Sequence, residues 1–196
     1  MDAKLDFLQE LGNIGAGHAT TALSHLLNGQ RFDLIIPEAL MLPFQEVGTF
    51  IGGHEQVVAG IYIEMSGDAV GHMAFLLPLE SAVNLVNLLT GEERSELDEM
   101  GLSALQEVGN IMIASYLNAL SDLTGLLLMP SVPGVAIDMA GAVWQSILAG
   151  AQVADTITLI KAQFSTNSIA IEGNIIFLPN EDDFQKIARI LGLEDF

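Results

Sequence analysis

From about Ala3 to Asn28 the apolar positions recur at helical spacing. At 100° per residue Leu5, Leu8, Ala19, Ala22, Leu23 and Leu26 fall on one side of a helix, and Asp6, Glu10, Asn13 and Gly17 fall nearly opposite. Gly29 follows as a natural stop. The same layout returns from about Asp98 to Thr124, with Ser103, Glu107 and Asn110 in the polar stripe. Later in each half the period changes. Val57 to Met65 and Ala69 to Leu77 alternate or run apolar around Gly67-Asp68, and Asp155 to Phe164 and Ser168 to Leu178 do so around Thr166-Asn167. Both pairs predict β-hairpins. Each hairpin runs into Leu-Pro, at Leu77-Pro78 and Leu178-Pro179, and then into a short helix ending at Gly91 or Gly192.

The two halves share words as well as rhythm. Residues 8 to 14 read LQELGNI and residues 105 to 111 read LQEVGNI, an offset of 97. At that offset residues 6 to 26 match residues 103 to 123 at about ten positions, among them Ala22-Leu23-Ser24 against Ala119-Leu120-Ser121. The pattern predicts an α+β fold built from a duplicated unit of long helix, strand, short helix, hairpin and closing helix, related by a pseudo-two-fold, with two long signature helices on a sheet. The expected organisation is one domain over residues 1 to 196 with halves of about 1–95 and 96–196, because each half alone would leave an apolar sheet face uncovered. The charged stretch EERSELDE, residues 92 to 99, is the seam and is too short to link independent domains.

Composition narrows the function. With 51% hydrophobic and 16% charged residues the chain is not disordered. Its most apolar region, Leu126 to Ala154, is interrupted by Pro130, Pro133 and Asp138. An aspartate near the centre of a span costs about 2.5 to 3.5 kcal/mol, so membrane insertion is not expected. A net charge of −19 repels nucleic acid and anionic lipid and favours partners with a basic patch. The N-terminus lacks the basic and apolar regions of a secretory signal, and the absence of cysteine excludes disulfides and thiol chemistry. A cytoplasmic location is the expectation.

The candidate chemistry lies in the polar stripes. Glycine inside a helix costs about 1 kcal/mol relative to alanine, and Gly12 and Gly109, on the apolar side, read as close packing. Gly17, on the polar stripe, could admit a partner's backbone. GNIGAGHAT is not a phosphate loop: the glycine spacing differs from G-x-G-x-x-G, no strand precedes it and no G-K-[ST] follows. His18, His25, His54 and His72 are confined to the first half without zinc-binding spacing. Trp144 and the methionines read as core. What remains is Glu-x-x-Asn on an exposed helix face, twice. A carboxylate and a carboxamide one turn apart can grip a basic side chain and orient a water, and neither is a good nucleophile in such a setting. Such a pair assists chemistry at a site that another molecule supplies.

These segments resemble the signature of the CheC family of bacterial chemotaxis phosphatases, [DS]-x3-E-x2-N followed some 22 residues later by Pro. The first copy is Asp6, Glu10, Asn13 and Pro37; the second is Ser103, Glu107, Asn110 and Pro133. The resemblance spans essentially the whole chain, and two complete motifs set it nearer to CheC than to the relatives CheX and FliY. It implies hydrolysis of the aspartyl phosphate on the response regulator CheY. It further implies that Asn13 and Asn110 orient the attacking water, that Glu10 and Glu107 pair with the regulator's lysine, and that Asp6 and Ser103 are flanking contacts. The Mg²⁺ would belong to CheY, with no cofactor held by this chain. Pro37 and Pro133 would fix the chain after the helix. CheD is implied as a second partner, with the apolar helix Asp138 to Ala149 as a place for docking and Asp138 as a contact. The first copy reads GAGHA where the family commonly has GAGNA, so His18 is a departure. Two rival readings are an adaptor that binds CheY or CheD without catalysis and a flagellar-switch component.

Overall fold

The computed structural model describes residues 3–26, 33–51, 53–149, 156–165 and 170–192. The first signature helix is α1 (Ala3–Leu26). It is followed by β1 (Asp33–Pro43), a 3-10 turn and the one-turn helix α2 (Val47–Phe50). The hairpin β2 (Val57–Gly67) and β3 (Gly71–Pro78) leads into α3 (Leu79–Thr90). The second half repeats the series as α4 (Glu99–Thr124), β4 (Leu128–Pro130), β5 (Gly134–Met139), α5 (Ala140–Ala149), β6 (Thr156–Ser165), β7 (Ala170–Pro179) and α6 (Glu181–Ile190). This is the predicted α+β duplication. The expected helix end at Asn28 and the turn at Thr166-Asn167 lie outside the described residues.

Helix ends follow local chemistry. Asp98 caps α4, its Oδ1 accepting from the Gly101 N–H at 2.7 Å, and Gly125 closes the helix in the left-handed region at φ 71°. Gly91 ends α3 in the same way at φ 69°. Arg94 orders the seam: its backbone N–H donates to Asn87 Oδ1, and its guanidinium pairs with Glu92 at 2.5 Å and Asp98 at 3.5 Å.

The strands make one antiparallel sheet in the order β1-β6-β7-β3-β2-β4, with β5 also on β2. Edge strand β1 belongs to the first half but pairs with β6 of the second, and β4 and β5 pair with β2 of the first. Prolines shape both edges, because proline has no N–H for the ladder. At Pro37 the β1 register shifts between Ile35 and Glu38. In the second half Pro130 and Pro133 bracket the break that splits the edge into β4 and β5.

Both sheet faces are covered, so β3 is buried from Gly71 to Leu77 and reads as a continuous apolar run rather than an alternation. On one face α1, α3, α4 and α6 enclose a core with Leu8, Leu11, Leu85, Leu105, Ile113 and Ile187 over Ile61, Ile63, Phe75 and Ile160. On the other, α2 and α5 cover a smaller core with Val47, Val143, Trp144 and Ile147 over Leu76 and Leu159. Trp144, Met65, Met73 and Met112 are core as expected; Met100, Met129 and Met139 are exposed, being at the start of α4 and along the β4–β5 edge. No helix among the described residues is long and apolar enough to cross a membrane.

The intrahelical glycines are explained by proximity. A Cβ on Gly109 would stand 2.6 Å from the Ile61 side chain, and one on Gly12 3.0 Å from Ile36. A Cβ on Gly15 would lie 3.0 Å from the Tyr116 backbone, so α1 and α4 come together there. Tyr116 is fully buried, tilted against Phe177, and burial raises its hydroxyl pKa. Among the described residues a Cβ on Gly17 would meet nothing outside its own helix within 4 Å.

Candidate functional site: two Glu/Asn helix faces

The apolar stripe of α1 buries Leu8, Ala19 and Leu23 and thereby turns Asp6, Glu10, Asn13 and Gly17 outward. The equivalent burial of Leu105, Val108 and Met112 in α4 exposes Ser103 and Glu107 and leaves Asn110 half-buried. The helices rest on different parts of the sheet, α1 on edge strand β1 and α4 on β2 and β4. Since β1 and β4 are opposite edges, the two Glu/Asn faces are separate.

Each face is tied to its motif proline by the glutamine of the repeated LQE. Gln9 Nε2 donates to the carbonyls of Ile36 at 3.1 Å and Pro37 at 3.0 Å. Gln106 Nε2 donates to the Pro133 carbonyl at 2.7 Å. The glutamine therefore holds the chain at the motif proline beside the helix. Sequence reasoning passed over Gln9 and Gln106, although their repetition within LQE was a signal.

The faces differ in their asparagines. Asn13 Oδ1 accepts from the Ile36 backbone N–H at 3.2 Å, a donor that the register shift before Pro37 removes from the ladder. Asn110 makes no side-chain hydrogen bond among the described residues. The residue before the proline differs as well: Ile36 is 3% exposed and Val132 is 87% exposed. Ser103 Oγ donates to the Glu99 carbonyl within its own helix at 3.0 Å.

Asp138 belongs to neither face. Residues 134 to 139 pair with β2 as an edge strand, so the helix expected from Asp138 begins at Ala140 instead. Asp138 opposes Val58, is exposed, and accepts the Met139 N–H at 2.7 Å. The buried side of α5, with Val143, Trp144 and Ile147, is core. The histidines are dispersed. His18 and His25 are exposed on α1, His54 lies against Gly48 and Gly141, and His72 is buried with its ring stacked on and hydrogen-bonded to Tyr62. Burial and the Glu64 charge raise the Tyr62 pKa.

Comparison with known proteins agrees with this architecture. The CheC-like family matches residues 4–38 and 100–137, the two helix-to-strand segments that carry the motifs. The chain is 37% identical over 97% of its length to the CheY-P phosphatase CheC of Bacillus subtilis strain 168, covering 95% of that protein. In fold it is similar to FliY of Thermotoga maritima, with a TM-score of 0.77, 20% identity, and 99% of this chain and 98% of that one covered. It is also similar to a chain in the CheX–CheY–BeF3–Mg²⁺ complex of Borrelia burgdorferi, with a TM-score of 0.52, 15% identity, and coverage of 84% and 95%. With a family match in each half and 37% identity over 97% of its length to CheC of Bacillus subtilis, the chain belongs to the CheC-like family.

Proposed function

We propose that this protein is a CheY-P phosphatase that hydrolyses the aspartyl phosphate by presenting a Glu/Asn helix face to the phosphorylated regulator. The observation that carries the reading is the duplication of one geometry: an exposed Glu with an Asn one turn on, exposed in α1 and half-buried in α4, each on a helix bonded by its Gln to the carbonyl of the motif proline. A decorative surface has no reason to keep this arrangement twice. The 37% identity to a CheY-P phosphatase supports the same substrate.

Water attacks phosphorus in line, and the regulator's aspartate carboxylate leaves. The Asn amide holds the water by hydrogen bonds in the attacking position, which removes the entropy of finding it. The Glu carboxylate grips the regulator's lysine and sets the register of the two proteins. Charge on the phosphoryl oxygens would be neutralised by Mg²⁺ held in the CheY site, and this chain's residues supply orientation. CheD is the second partner in this reading, with Asp138 and the exposed side of α5 as its contact; Asp6 and Ser103 flank the two catalytic pairs.

The roles separate by substitution. Asn110→Ala in a protein already carrying Asn13→Ala abolishes turnover and leaves binding of phosphorylated CheY within about twofold, because an amide that holds water contributes little to docking. Glu107→Ala in the same background weakens binding too. Equal, small effects of the two substitutions on turnover contradict the assignment.

A further inference from the structure

We infer that the turn Ser131–Val132–Pro133 is a preformed anchor that seats the partner on the second Glu/Asn face, with Val132 as the side chain that buries against it. The inference rests on the reading of that face as the docking site for phosphorylated CheY.

Single exposed apolar side chains are ordinary on protein surfaces. Val132 differs from them in how it is held. It is 87% exposed, the most exposed of the large apolar residues described, yet its turn is fastened on every side. The Ser131 N–H donates to the Glu64 carbonyl at 2.8 Å. Ser131 Oγ accepts from the Glu64 N–H at 3.0 Å and donates to the Val132 carbonyl at 3.1 Å. Gln106 holds the Pro133 carbonyl at 2.7 Å. Proline on both flanks, at 130 and 133, restricts φ as well. A side chain presented from such a turn loses little freedom on binding, which is the condition under which buried apolar area becomes affinity.

The same bond places the anchor. Gln106 immediately precedes Glu107 and lies one turn before Asn110, so the turn is continuous with the face that would meet the regulator. Val132 adds an apolar contact beside the Glu107 carboxylate, so the partner is expected to offer an apolar hollow next to the lysine that Glu107 grips. The first half lacks the device. Ile36, the residue before its proline, is buried and has its N–H held by Asn13.

The test is the affinity for CheY of the same organism loaded with BeF3⁻ and Mg²⁺, measured by titration calorimetry on proteins with one face closed. With the first face closed by Glu10→Lys, Val132→Ser weakens binding about tenfold, the order expected for losing one buried valine side chain, and Val132→Ile stays within about twofold. With the second face closed by Glu107→Lys, Val132→Ser changes nothing. Unfolding midpoints stay level throughout, because Val132 supports no core. Equal effects in the two backgrounds, or none in either, overturn the anchor. Val132-dependent binding by a parent protein that leaves CheY phosphate undisturbed keeps the anchor and sinks the phosphatase reading; no binding by the parent sinks both.

Discussion

Gly109 and Gly17 occupy comparable helices and answer to opposite constraints. A Cβ at 109 has no room because Ile61 lies 2.6 Å from its position, whereas a Cβ at 17 meets open space. Gly109→Ala must shift α4 off the sheet or force Ile61 from its rotamer, and is expected to destabilise by about 1 to 3 kcal/mol. Gly17→Ala removes an intrahelical glycine without a clash and is expected to stabilise by about 0.5 to 1 kcal/mol. Urea unfolding of the two variants reads both signs; a loss of stability at Gly17 would show that α1 needs the glycine for something other than space. The asparagines differ in the same local manner. On the proposed mechanism the Asn13 oxygen keeps a second lone pair for a water, but turning the amide towards a partner gives up the Ile36 N–H, a hydrogen bond worth about 0.5 to 1.5 kcal/mol. Asn110 makes no such bond among the described residues, so the second face is expected to turn over faster, by about two- to tenfold.

At the scale of elements, α4 is closed at both ends, by Asp98 before it and Gly125 after it. Asp98 caps the helix and also meets Arg94, whose guanidinium is largely buried in the seam. Asp98→Ala is expected to cost about 1 kcal/mol, nearly all of it from the cap. Asp98→Asn keeps the cap acceptor and loses the charge, so it should recover most of that stability; if it does not, the ion pair with Arg94 is the larger contribution. Much at this scale was legible in the chain. The apolar spacing located both long helices and both hairpins, and the Leu-Pro and glycine signals located α3 and α6. A strand after each long helix was expected from the duplication, but the bounds of the β4–β5 edge were not legible, because its residues pair only with β2, more than sixty positions away, and their exposed pattern carries no alternation. The helix expected from Asp138 failed for that reason: Gly134 to Met139 is held as strand by a partner that local pattern does not reveal. Of the two faces, sequence pattern brought out the Glu and Asn residues but not the Gln that fastens them, since a repeated Gln beside a repeated Glu looks like part of the same solvated stripe.

Across the whole molecule the sheet is interleaved rather than split. The outer strand of each half lies against the hairpin of the other, and the larger core draws on α1 and α4 together. Residues 1–95 expressed alone lose the partner of β1 and the cover of β2, and as a monomer are expected to show no cooperative thermal unfolding by circular dichroism. Mixing them with residues 96–196 should restore it. A monomeric 1–95 fragment that melts cooperatively would show that the halves are independent. The duplication thus has a structural consequence, one shared scaffold, and, in the function proposed, a second one, two faces at opposite edges of it. The most direct measurement of the functional claim is the decay of ³²P-labelled CheY phosphate with the unsubstituted protein, Asn13→Ala, Asn110→Ala and the double variant, each with and without CheD. The account predicts faster decay with the unsubstituted protein, a larger loss from Asn110→Ala than from Asn13→Ala, and no acceleration by the double variant. Decay that stays at the spontaneous rate in every case, or that the double variant still accelerates, contradicts it.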